Sequence, residues 1–247
     1  MIYADYAATT PLDEDVKKVM IRSFENDFGN ASSVHSFGRS ARHTAEEARE
    51  SIAEIFNVNK NEIYFTSGGT ESDNWALQGI ARKYKSGHII ASAAEHHAVL
   101  NTLEFLKKNG FDITFLPLDK SGRVNAETVK NAIRPDTRLV SVMAANNEIG
   151  TVMPINEICQ VAKEKNIPFF TDAVQASGAL DIDASEMSFL SASAHKIYGP
   201  KGIGLLYIKE GTGIENLMFG GSQERDRRPG TTPVPLIAGF AAALMMI

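Results

Sequence analysis

Several groups of residues in this chain have the types and the placement to do chemistry. The first is Ser67-Gly68-Gly69-Thr70-Glu71-Ser72, set between an apolar run ending at Phe65-Thr66 and a segment of helical period that starts near Thr70. Glycines permit a sharp turn, N–H groups at a helix start point outward, and the Thr70 hydroxyl adds a donor, a set suited to a phosphate. The same residues also fit a plain tight strand-to-helix turn. They lack the lysine of a P-loop and the third glycine of a dinucleotide fingerprint, so neither nucleotide motif is met. The second group runs from Ser191 to Gly202 and contains Ser193-Ala194-His195-Lys196, followed by the Gly199-Pro200 turn. A lysine between a small-residue run and such a turn points into a cleft, where desolvation lowers its pKa and frees the amine as a nucleophile; the plainer alternative is a surface loop lysine. The third is Asp172, at the carboxyl end of Ile167-Pro168-Phe169-Phe170-Thr171 and followed by Ala173-Val174-Gln175. A carboxylate there lies where open α/β sheets bind ligands, although Asp after a strand is also a common helix N-cap.

Two further polar groups, Asn146-Asn147-Glu148 and Glu95-His96-His97, follow apolar runs in the same way, so polar residues converge at several strand ends. The Glu95-His96-His97 triplet could suggest a metal, but adjacent residues point apart on a regular element and no second ligand cluster has zinc-type spacing, so no metal is expected. A phosphate cup, a lysine amine, a carboxylate and an imidazole gathered at sheet carboxyl ends match the needs of pyridoxal phosphate. Its aldehyde condenses with a lysine, its ring nitrogen is kept protonated by an Asp, and its phosphate takes backbone and hydroxyl donors.

The elements that must position these groups alternate between strand and helix, the pattern of one α/β domain with a mainly parallel sheet. Strands are expected at Glu62 to Thr66, His88 to Ser92, Asp112 to Leu118, Arg138 to Ala144, Pro168 to Asp172, Met187 to Ala192 and Ile203 to Ile208. Helices are expected at Thr44 to Phe56, Thr70 to Tyr84, His96 to Asn109, Ala126 to Ile133 and Pro154 to Lys165. Thr44 and Glu47 read as a capping box, and Pro154 as a first-turn proline. Asp13 to Asp15 and Lys163 to Lys165 read as no more than solvated faces.

With 247 residues, 43% hydrophobic and 22% charged, the chain can bury a sizeable core. Its net charge of −5 provides no basic field for nucleic acid or an anionic membrane. The single cysteine, Cys159, excludes an intramolecular disulfide, and the first residues show no basic region followed by an apolar stretch, so a cytoplasmic location is expected. The longest apolar run, Leu236 to Ile247, is shorter than the ~20 residues of a membrane helix and reads as a buried helix. It stops with no Gly or Asn cap, so a chain cut short is expected.

The sequence resembles the cysteine desulfurases of the NifS and IscS type, in the class V branch of the fold-type I pyridoxal phosphate enzymes. The match begins with Tyr3-Ala4-Asp5-Tyr6-Ala7-Ala8-Thr9-Thr10-Pro11 and Asn30-Ala31-Ser32-Ser33-Val34-His35. It continues through Thr66 to Asn74, Glu95-His96-His97-Ala98-Val99, Asn146-Asn147-Glu148-Ile149-Gly150 and Thr171 to Ala176. It closes with Ser193 to Gly202, Gly220 to Arg225 and Arg228-Pro229-Gly230-Thr231. The resemblance implies an N-terminal segment over 1–15, a pyridoxal phosphate-binding large domain over 16–247, and a small C-terminal domain that is largely missing.

It further implies that Lys196 condenses with the cofactor aldehyde, Asp172 pairs with the ring nitrogen, and His96 stacks on the ring and moves protons. Gln175 and Asn147 would sit at the phenolate edge, with Asn147 also near the substrate carboxylate. Gly69, Thr70, Ser193 and His195 would hold the phosphate, and Thr231 would reach the phosphate of the other subunit of a homodimer. The implied reaction converts L-cysteine to L-alanine and a protein persulfide, for an iron–sulfur scaffold or another sulfur acceptor. The nucleophilic cysteine and the arginine that grips the substrate would lie beyond residue 247. Cys159 does not replace that nucleophile: Ile155 and Ala162 share its helix face, which reads as a buried structural thiol. A selenocysteine lyase, another class V enzyme, or a cofactor-retaining scaffold module are the alternative readings.

Overall fold

The computed structural model describes residues 2–247. Seven strands form one sheet: β1 (Ile63–Thr66), β2 (Gly87–Ser92), β3 (Phe111–Leu116), β4 (Thr137–Ser141), β5 (Phe169–Asp172), β6 (Phe189–Ser193) and β7 (Gly204–Ile208). Their order is β1-β7-β6-β5-β4-β2-β3. The five strands from β6 to β3 pair in parallel, whereas β7 runs antiparallel to both β6 and β1. Two reversals restore the direction, so β1 points the same way as the parallel set and its carboxyl end opens on the same side of the sheet.

The strands are buried on both faces, and the side-chain period of two sends neighbours to opposite layers. Ile63, Ile90, Phe169 and Leu205 join one core, while Tyr64, Ile89, Phe170 and Leu206 join the other. The first core is covered by α1 (Glu14–Asn26), α2 (Ser36–Ile55), α5 (Ala126–Ala132), α6 (Ile155–Glu164) and α8 (Val234–Met245); the second by α3 (Gly69–Tyr84) and α4 (His97–Lys108). A single turn, α7 (Gln223–Asp226), precedes α8. The outcome is the expected α/β fold with helices on both faces of a mainly parallel seven-stranded sheet. No helix among the described residues is long and apolar enough to cross a membrane.

Three expectations are corrected. Asp13 is no idle surface charge: it is the N-cap of α1, accepting from Asp15 N at 2.7 Å and Val16 N at 3.4 Å. Helix α2 starts at Ser36, eight residues before the expected Thr44, so Thr44 and Glu47 are helix-interior and form no capping box. Glu47 pairs with His43 instead, at 3.2 Å. The first turns of α2 are buried by Gly38, Ala41 and Ala45, small residues that carry the helical period without an obvious apolar signal. Strand β4 also ends at Ser141, earlier than expected, although Val142 N and Ala144 N still donate to Phe170 O and Asp172 O as the chain runs on beside β5.

Candidate functional site

A cavity of about 210 Å³ opens at the carboxyl ends of the strands, lined by Gly69 and Thr70 after β1, His96 after β2, Met143 and Asn147 after β4, Asp172, Val174 and Gln175 at the end of β5, and His195 and Lys196 after β6. Five separate strand ends thus supply one site, as open α/β sheets favour.

The turn after β1 is built by glycine. Gly68 has φ +152 and occupies the N-cap of α3 with no side-chain cap, so it accepts a conformation that side-chain-bearing residues avoid. A Cβ on Gly69 would lie 2.6 Å from Val174 Cγ2, so only glycine lets this helix start approach the β5 loop. Ser193, at the end of β6, is buried, donates weakly to Ile203 O at 3.4 Å, and lies behind Gly68 rather than on the cavity wall.

Asp172 is buried, and its Oδ1 accepts Val174 N at 2.9 Å, closing the turn after β5. No helix follows there, so the N-cap alternative does not apply. Asp73, on α3, is buried beside it and takes a 2.6 Å hydrogen bond from Ser191 Oγ. Asp73, His96 and Asp172 each present one ligand atom within 4.8 Å of the others, a grouping different from the Glu95-His96-His97 triplet considered for a metal. Burial raises both carboxyls above the usual range, and the Asp172 charge adds to the effect on Asp73. A third carboxyl, Glu95, accepts from Ser92 Oγ at 2.7 Å and Met143 N at 2.8 Å, and burial pushes it up to about 8.

His96 caps α4, its Nδ1 accepting from Ala98 N at 3.1 Å, which leaves Nε2 as the other ring nitrogen. Gln175 Oε1 is buried without a hydrogen-bond partner, an orphaned acceptor at the cavity. The Asn146-Asn147 pair divides its work: Asn146 holds the loop together, donating to Ala94 O and accepting from Glu148 N and Ile149 N, while Asn147 lines the cavity.

Lys196 follows β6 on a short 3-10 turn, half-buried. Its Nζ donates to Ala7 O, and burial draws its pKa down against the raising effect of Asp172 and Asp5. Burial, then the Lys196 and Lys201 charges, lower His195 likewise. The N-terminal segment is laced to this turn: Thr10 N donates to His195 O at 2.9 Å, Tyr198 N to Thr10 Oγ1 at 2.7 Å, and His195 Nδ1 lies 3.2 Å from Thr9 Oγ1. Ala8 thereby reaches the cavity.

Sequence reasoning thus placed Gly69, Thr70, His96, Asn147, Asp172, Gln175, His195 and Lys196 where the structure brings them together. Thr231 is exposed and lies outside the cavity. Asp73, Met143, Val174 and Ala8 were not singled out; the available signal was a polar Ser72-Asp73 pair on the otherwise apolar face of α3. Cys159 is buried on α6, with Sγ 3.4 Å from Glu186 O, on a different part of the surface.

Comparison with known proteins agrees with this geometry. The family model described as Aminotransferase class-V matches residues 2–247. The chain is 52% identical over 247 residues to a cysteine desulfurase IscS of Clostridium botulinum (strain Kyoto / Type A2), covering 98% of this chain and 62% of that protein. It is 50% identical over 246 residues to a cysteine desulfurase IscS of Methanosarcina thermophila, covering 98% of this chain and 61% of that protein. The chain therefore spans about three fifths of the length of these relatives. Among solved structures, SspA in complex with cysteine superposes with a TM-score of 0.96 at 43% identity, over 99% of this chain and 72% of that one. A NifS-like protein also gives 0.96, at 40% identity, over 99% of this chain and 69% of that one. With its whole described length matched and its polar residues gathered at one sheet edge, the chain belongs to the aminotransferase class-V family, alongside the IscS- and NifS-type cysteine desulfurases.

Proposed function

We propose that residues 16–247, with the 1–15 segment as one wall, are the pyridoxal phosphate-binding domain of a cysteine desulfurase, which turns L-cysteine into L-alanine and a protein-bound persulfide. The observation that carries the reading is the convergence of Lys196, Asp172, His96 and Gln175 on one cavity beside the Gly69-Thr70 turn. The donor set suits the cofactor. Asp172 is a buried carboxylate whose recorded hydrogen bond is from Val174 N, so a protonated ring nitrogen would give it a direct charged partner, and the orphaned Gln175 Oε1 marks a place for a polar ligand atom. The bound cofactor would supply an electron sink for the pair left when the substrate α C–H bond breaks.

The chain's own residues do the rest. Lys196 Nζ is the attachment point and, when free, a base whose pKa burial lowers from the ordinary lysine value. Asp172 holds the proton on the ring nitrogen, and His96 passes one through Nε2. Asn147 and Gln175 orient the phenolate edge, with Asn147 also meeting the substrate carboxylate. Gly69, Thr70 and His195, which line the cavity, hold the phosphate, with Ser193 assigned to it from behind Gly68 and Thr231 donated from a second copy in a homodimer. The relatives' printed names, and the cysteine bound to SspA, support cysteine as the substrate. The thiol that accepts the sulfur is assigned to the length of the relatives that this chain does not span, since Cys159 is remote from the cavity. The onward acceptor is an iron–sulfur scaffold or thio-cofactor protein, and the setting is cytoplasmic.

The test is borohydride reduction of the purified chain after incubation with pyridoxal phosphate, followed by peptide mapping. A pyridoxyl group on Lys196 is expected; none, or one on another lysine, refutes the assignment.

A further inference from the structure

The Ser67-Gly68-Gly69-Thr70 turn has no capping side chain of its own. Glu71, in the first turn of α3, supplies one by reaching back to accept Ser67 N at 2.8 Å. The same carboxylate is gripped by Arg228, with Nε at 2.8 Å from Oε1 and Nη2 at 3.0 Å from Oε2; the two side chains are only 18% and 12% exposed. A planar guanidinium fork on a carboxylate fixes position as well as charge.

Arg228 is not a free arm. It lies on a strap, residues 220–231, that crosses the outer edge of β1. There Glu224 accepts from both Arg49 Nη1 and Nη2 and from Phe65 N, each at 2.8 Å, and Arg225 Nη2 donates to Ile63 O at 2.6 Å. Glu224, Arg225 and Asp226 hold φ of 46, 57 and 62, a left-handed run that non-glycine residues keep only where surrounding bonds over-determine it. The strap also satisfies the Phe65 N–H on the free edge of β1, while Ile63 O is shared by Arg225 and Arg49 Nη1.

The charge matters as much as the geometry. An unpaired Glu71 would set a negative charge one residue from Thr70, on the turn to which the phosphate is assigned. Burial pushes the Glu71 carboxyl up, but Arg228 and Ser67 bring it below the usual range, so it is ionised and its charge is matched by Arg228.

We propose that Glu71 and Arg228 are positioning residues for a phosphate group, their bidentate pair both bracing the Ser67-to-Thr70 turn and cancelling the negative charge behind it. This rests on the cofactor reading above. The two are separated by comparing pyridoxal phosphate with pyridoxal, which has the aldehyde but no phosphate, binding to ligand-free wild type, Arg228→Met, Arg228→Lys and Glu71→Gln/Arg228→Met, read by the visible absorbance of the lysine adduct. Arg228→Met is expected to weaken pyridoxal phosphate about tenfold or more, as loss of a supporting partner does, with pyridoxal unchanged. Arg228→Lys, which keeps the charge but not the fork, falls between, and the double variant regains part of the loss because no lone carboxylate remains. Equal weakening of both aldehydes in Arg228→Met and Arg228→Lys, or of neither, overturns the inference. A wild type that binds neither aldehyde overturns the cofactor reading and this inference with it.

Discussion

Asp73 and Asp172 stand side by side beneath the cavity, both buried, with ligand atoms within 4.8 Å of each other and of His96. Two carboxylates so close in a dry setting do not both ionise readily; burial raises both, the Asp172 charge adds to the effect on Asp73, and the positive side chains Lys196 and His96 face Asp172, whereas Asp73 is turned to Ser191 Oγ. Asp172 is left as the anion that faces the ligand.

That division makes the two aspartates inequivalent to substitution. Asp172→Ala should weaken pyridoxal phosphate binding by roughly 10- to 100-fold, the worth of a charge-assisted hydrogen bond, whereas Asp73→Asn, which mimics the neutral acid, should bind it within about threefold of wild type. Equilibrium titration followed by absorbance decides; a larger loss in Asp73→Asn than in Asp172→Ala would reverse the roles.

Glu95 makes the ligand-free chain alkali-sensitive. Its folded pKa, about 8, lies above the unfolded value, so its proton is bound more tightly in the folded state. The stability it contributes is fully present below about pH 4.5 and drains away as pH rises toward 8. Glu95→Gln keeps the acceptor for Ser92 Oγ and Met143 N and removes the titration. Urea unfolding should show it gaining on wild type across that window, by about 3 kcal/mol at most at pH 7. A gap that stays constant with pH would show that Glu95 does not titrate there.

Lys196 should capture aldehydes with a pH midpoint below that of a free lysine, about 10.4, because burial favours the neutral amine. The Asp172 charge works against this, so Asp172→Asn should move the midpoint lower still. Stopped-flow capture of pyridoxal by the two proteins measures both; a midpoint that rises in the variant contradicts the assigned electrostatics.

Glu224→Ala should cost about 1–3 kcal/mol of stability, the cost of leaving a buried donor unsatisfied, since it strands Phe65 N and removes one partner of Arg49, which keeps Glu46 and Ile63 O. Chemical denaturation reads the loss, and a value below 1 kcal/mol would mean that the strap is not anchored there.

How legible all this was in the sequence differs by element. The strands were plain because runs such as Ile167 to Asp172 are buried on both faces and read as unbroken apolar stretches. Helix α1 was missed because its buried face is thin, Val16, Met20 and Ser23, and the start of α2 was missed because alanines and a glycine carry its packing. Lys196, Asp172 and His96 stood out because each follows a strand. Asp73 did not, since its one mark in a linear reading, a place beside Ser72 on the otherwise apolar face of α3, is fainter than a position at a strand end. The pairing of Glu71 with Arg228 joins residues 157 positions apart and becomes visible only once the strap is folded over β1.

The clasp between Thr9-Thr10 and His195 spans about 185 positions, and α1 likewise leans on α8. A ribosome delivers the first dozen residues long before either partner exists. The opening segment must therefore wait, unpaired, until nearly the whole sheet has been synthesised. Lys196 meets Ala7 only in that last closure, so the wall of the cavity that Ala8 provides is among the latest pieces of the domain to be assembled, and loop-closure cost makes that step slow.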